Sequence, residues 1–148
     1  MLKENTMSKR KTPLEKVVEA TVKAVLKGGE DKDVINQLCC MQEQINYQNY
    51  SKEEVETYFP NYSDFDVKDM KKIRKEVYER LKVIVHNPET TYLQTFRIIV
   101  AVNALELSIP VKGNPKVKFC QNYWRMCCAE GKRVDFYMKE IKLLYKKL

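Results

Sequence analysis

At 148 residues, the chain is long enough to bury a core without disulfide or metal staples, and 44% hydrophobic with 32% charged residues is a globular rather than a disordered composition. With 4 Gly and 5 Pro it has few turns and long elements between them, which excludes a sandwich of many short strands and predicts an all-α fold. The net charge of +7 is unevenly spread: residues 1–13 net +3, residues 14–66 net −6, and residues 67–148, with 18 basic against 8 acidic side chains, net +10, a polarity that attracts polyanions.

Met1 to Thr12 is polar and basic, without the apolar stretch of a secretory signal, and is expected to be a flexible segment (1–12) ahead of one helical domain (13–148). Its Lys9-Arg10-Lys11 cluster reads as a solvated terminus first, and as a nuclear address or nucleic-acid arm second. Thr12-Pro13-Leu14-Glu15 opens the first helix: Thr12 caps, Pro13 suits the first helical position, and Glu15 completes a capping box. Leu14, Val18, Val22 and Val25 recur at helical spacing until Gly28-Gly29. A second helix is predicted from Asp31, with Val34, Leu38, Met41 and Ile45 on one face.

Ser51-Lys52-Glu53-Glu54 is a further capping box, heading a short helix that Pro60 must end. The stretch Tyr58 to Phe65 reads as an aromatic loop whose four rings cover the edge of the core. Asp66 and Asp69 begin a long amphipathic helix carrying Met70, Ile73, Val77, Leu81 and Ile84, which His86-Asn87-Pro88 closes. Thr91 caps the next helix with Gln94 at the box position, and Tyr92 to Leu107 is the most apolar segment of the chain. Apolar residues on more than one of its faces predict a central helix, about residues 92–107, with neighbours all round it. Asn114-Pro115 starts a helix through Val117, Cys120, Trp124 and Cys127 that Gly131 breaks, and a last helix carries Val134, Met138, Ile141, Tyr145 and Leu148. The expectation is a bundle of six or seven helices, with no internal repeat and no run apolar enough to span a membrane.

The side chains that bear on function are basic. On the helix from Asp66 the apolar stripe fits within about 80° of arc, at about 100° per residue. Lys68, Lys71, Lys72, Lys75 and Lys82 lie on the opposite face, interrupted mainly by Glu79. On the last helix Lys139, Lys142 and Lys146 again oppose the stripe, with Lys147 near them. Lys112, Lys116, Lys118, Arg125, Lys132 and Arg133 would extend one continuous surface if these helices neighbour each other. A soluble helix must put polar residues outside, so any single stripe has a bland explanation; the +10 sum over one half of the chain is what points to a partner. Lysine contacts phosphate without reading sequence, and Gln121, Asn122, Tyr123 and Arg125 are the local candidates for base contacts.

Five cysteines, an odd number, suggest reduced thiols in a cytoplasmic or nuclear setting. The adjacent pairs Cys39-Cys40 and Cys127-Cys128 point about 100° apart on a helix and are not preformed for chelation, so no metal is expected. Cys120 and Cys127 fall on the apolar face beside Trp124 and read as buried thiols. His86, the one histidine, suits a helix C-terminus. Glu53, Glu54 and Glu56 sit where acids favour a helix start, and no phosphate-cradling glycine loop is present. No catalytic motif and no cofactor site emerges, so the expected function is non-enzymatic binding of a polyanion. RNA or DNA ranks first as partner and an anionic membrane surface second. The layout is also similar to that of Bcl-2-like adaptors at the level of fold alone, which would imply a protein-interaction module with an apolar groove. The Asn-Trp-Gly-Arg opening of that family's cell-death members is absent; the segment here reads Thr91-Tyr92-Leu93-Gln94. Self-assembly into a homo-oligomer through the oppositely charged halves is a third expectation.

Overall fold

The computed structural model describes residues 11–27, 33–58 and 62–130. All its regular structure is helical: α1 (Pro13–Lys27), α2 (Asp33–Tyr47), α3 (Lys52–Tyr58), α4 (Val67–Val85), α5 (Tyr92–Ala104) and α6 (Pro115–Glu130). The protein is an all-α helical bundle, and among the described residues no helix is long and apolar enough to cross a membrane.

Local chemistry starts these helices where the sequence places the starts. Four have reciprocal capping boxes: Thr12 with Glu15, Ser51 with Glu54, Asp66 with Asp69, and Thr91 with Gln94. In each, the cap side chain accepts the third-residue N–H while that residue's side chain accepts the cap N–H, which satisfies two otherwise orphaned donors. At α6 the Asn114 side-chain oxygen accepts from the Val117 N–H at 3.1 Å.

The ends are less legible. α5 stops at Ala104 and not at Leu107, because Glu106 turns into the left-handed region at φ 59°. Leu107 N–H then reaches back to the Val102 carbonyl (3.0 Å) and Glu106 N–H to that of Asn103 (2.9 Å), a Schellman closure without glycine. α2 ends similarly, with Gln48 at φ 52° and its N–H on the Gln44 carbonyl.

One apolar core draws on all six helices. α1 packs against α2, α4 and α5, α2 also against α3, α4 and α5, and α6 chiefly against α5. α5 therefore touches four other helices, and its residues 95–102 are all buried. A single wet face would leave polar positions at helical spacing; this run has none but Thr95 and Arg97. Tyr62 departs from the predicted aromatic edge: it is 1% exposed and lies within the core, while Phe65 is half-buried. Phe59, Pro60, the glycines at 28, 29 and 131, the start proposed at Asp31 and the last helix lie outside the described residues.

Candidate nucleic-acid interface

Among the described residues α4 presents a regular charged face. Met70, Ile73, Val77, Leu81 and Val85 are buried along one side, and that burial fixes the rotation of the helix. Lys68, Lys71, Lys72 and Lys75 are consequently exposed on the other. Among the described residues none of these four lysines makes a hydrogen bond or an ion pair; the one ion pair there is Lys11 with Glu19, which holds the Glu19 carboxyl below its usual range. Lys68, Lys71, Lys75 and Lys82 form a row of about 21 Å, at 1.5 Å of rise per residue. Lys82 is half-buried, its ammonium 5.7 Å from the Tyr78 ring centroid. Between α1 and α4 a cleft of about 390 Å³ has Leu14 and Val18 in its wall, with Lys72, Lys75 and Arg80 set against Glu15 and Glu76.

α6 carries the second group, and its members divide. Lys118 and Arg125 are exposed, as are Lys112 in the preceding linker and Asn122. Lys116 is committed internally: its ammonium donates to the carbonyl oxygens of Thr90 and Pro88 and lies 5.6 Å from the Tyr92 ring centroid. Gln121, a candidate for base contacts, donates from Nε2 to the Ile109 carbonyl at 2.7 Å and is half-buried. Tyr123 is half-buried, edge-on to Phe96 at 5.5 Å and stacked with Phe119 at 6.3 Å and 6° between planes. The carbonyls that Lys116 and Gln121 meet come from distant turns, so no helical periodicity could have revealed these commitments.

α4 and α6 both pack on α5 without an extensive contact between themselves, so the two basic groups are not joined by helix-on-helix packing. They meet end to end: Asn114, the α6 cap, donates from Nδ2 to the Val85 carbonyl (3.4 Å) and lies 2.9 Å from His86 Nδ1. His86 is the C-cap of α4, so the last turn of α4 is stitched to the first of α6. Lys132, Arg133, Lys139, Lys142, Lys146 and Lys147, with Lys9 and Arg10, lie outside the described residues.

The thiols are placed without a metal geometry. Cys40, Cys120 and Cys127 are buried, and Cys39 and Cys128 exposed. Among the described residues no group of three His, Cys, Asp or Glu side chains is arranged to hold a metal ion. Burial pushes the Cys120 thiol up to about 12, with Lys116 opposing, and its Sγ lies 3.6 Å from the Tyr92 carbonyl.

Comparison of the chain with protein families, curated proteins and solved structures finds no match.

Proposed function

We propose that the protein is a non-enzymatic nucleic-acid-binding protein that docks through the exposed lysine face of α4. One observation carries this reading: Lys68, Lys71, Lys72 and Lys75 are held outward together by the buried stripe behind them, and none of the four has a hydrogen-bond or ion-pair partner among the described residues. Lysines so placed neutralise phosphates and release counterions, giving affinity without base sequence. A lipid surface would favour apolar anchors beside the lysines. Of the large hydrophobic residues of α4 Val83 alone is exposed, and a single valine is a weak anchor, so this face suits nucleic acid better than lipid. The proposal places the protein in the cytoplasm or nucleus.

The test is a titration of labelled single-stranded RNA and duplex DNA at two salt concentrations. If four lysines neutralise about four phosphates, the log–log salt slope on duplex is about −3.6, and affinity falls roughly a hundredfold between about 50 and about 200 mM salt. Lys71→Glu is expected to weaken binding to every sequence and to flatten the slope by at least about one. Absence of binding at the lower salt, or binding indifferent to salt, defeats the proposal.

A further inference from the structure

The cleft between α1 and α4 shares Lys72 and Lys75 with the lysine face, and its chemistry goes beyond phosphate. Its volume of about 390 Å³ falls within the roughly 300–1,000 Å³ of pockets that take small organic groups. Three kinds of surface meet in it. Half-buried Leu14 and buried Val18 form an apolar wall from α1, while α4 brings the cations of Lys72, Lys75 and Arg80. Glu15 and Glu76 add carboxylates. A nucleotide unit offers the complement of all three: an apolar base face, an anionic phosphate, and a base edge that carries N–H donors.

The two carboxylates are not equivalent. Glu15 Oε1 accepts from the Thr12 N–H at 2.9 Å as half of the α1 capping box, so this carboxylate serves the fold. Glu76 is exposed, with Lys72 four residues before it and Arg80 four residues after, a spacing at which ion pairs form on a helix. It forms none: among the described residues Glu76, Lys72, Lys75 and Arg80 make no hydrogen bond or ion pair. A carboxylate held among cations opposes phosphate binding, and favours a ligand that also brings donors. Its two oxygens accept and never donate. Guanine sets two donors side by side on its pairing edge, N1–H and the N2 amino group. Adenine and cytosine set one amino group beside an acceptor nitrogen, and uracil sets its one N–H between two carbonyls. Guanine is the base that satisfies both oxygens.

We infer that the α1–α4 cleft takes one guanine of an unpaired strand. Glu76 accepts from its pairing edge, Leu14 and Val18 meet its face, and Lys72, Lys75 and Arg80 serve the flanking phosphates. The inference rests on the proposed nucleic-acid function and adds a base preference to it. In a duplex the same edge is occupied by cytosine and the base is held in the stack, so the cleft excludes paired guanine.

The experiment titrates the full chain, at about 50 mM salt, with a labelled oligouridylate, with the same strand carrying a single central guanosine, and with each strand annealed to its complement. The inference expects the guanosine to tighten single-strand binding about tenfold and to leave duplex binding unchanged. Glu76→Gln is expected to erase that preference while affinity for the all-uridine strand holds or rises, because an opposing charge has gone. Glu76 is exposed, so the variant keeps the fold, which circular dichroism checks. Lys71→Glu, outside the cleft, is expected to weaken both single strands alike and to keep the preference. Equal affinity of the unmodified protein for the two single strands overturns the inference and leaves the lysine face standing. So does a guanosine preference that survives Glu76→Gln, or one that is as large in the duplex. Binding of none of the probes removes both the inference and the function beneath it.

Discussion

Arg97 lies inside the apolar run of α5, and is buried because its guanidinium completes a different helix. Its Nε donates to the Val25 carbonyl at 2.6 Å, among the last four carbonyls of α1, where the helix has no partners of its own and carries partial negative charge. Arg97→Met is expected to lower unfolding free energy by about 2 kcal/mol in urea titration, since it removes a charged donor and leaves a buried acceptor. Tyr62 is a comparable case. The Thr21 hydroxyl spends its single proton on the Val17 carbonyl, so Tyr62 must be the donor to Thr21. Burial raises the Tyr62 hydroxyl from 10.0 to about 12 and Cys120 from 9.0 to about 12. Both are acids whose neutral form the fold favours. The unfolded chain releases these protons first, so their contribution to stability is complete below pH 9 and is lost as pH climbs toward 12. Denaturant midpoints measured from about pH 8 to about pH 11 are expected to fall, and less steeply in Tyr62→Phe. The thiols should divide by exposure: Ellman's reagent at neutral pH reacts promptly with Cys39 and Cys128, and with Cys40, Cys120 and Cys127 only on unfolding.

At the scale of the helix, starts and stops differ in how openly the sequence announces them. A capping box is a local pattern, readable as Thr91 followed by Gln94, and the structure makes both of its hydrogen bonds. The stop at Ala104 was not readable, because the left-handed residue that closes α5 is Glu106 where pattern reading looks for glycine. Holding a residue with a Cβ in that region costs about 1 kcal/mol. Glu106→Gly is therefore expected to raise the melting temperature by roughly 3 °C in a chain of this size, despite losing an exposed contact from Asn46. Asn114 shows the opposite sensitivity. It caps α6 and meets Val85 and His86 at the end of α4, so Asn114→Ala should cost about 1–2 kcal/mol. The candidate interface was legible to the same degree. Exposure of the α4 lysines followed from the spacing of Met70, Ile73, Val77 and Leu81. The engagement of Lys116 by the 88–90 turn, and the role of Arg97, depend on contacts between segments far apart in sequence, which periodicity does not encode.

Across the molecule, attachment is unequal. α1, α2, α4 and α5 pack on one another, whereas α6 leans chiefly on α5 through Val117, Cys120 and Cys127, with Phe96 against Tyr123 and Trp124. Fewer packed neighbours among the described residues mean a lower free energy of local opening. Amide hydrogen exchange in α6 is expected to outpace that in α4 and α5, with a gradient that Asn114→Ala steepens. The lone tryptophan of the chain, Trp124, stands at this seam, 6.0 Å from Phe96. Its emission is accordingly an intrinsic optical gauge of one joint: separation of α6 changes the indole environment while the other helices keep their circular dichroism, so two transitions where a cooperative bundle shows one would time the release of α6 from α5.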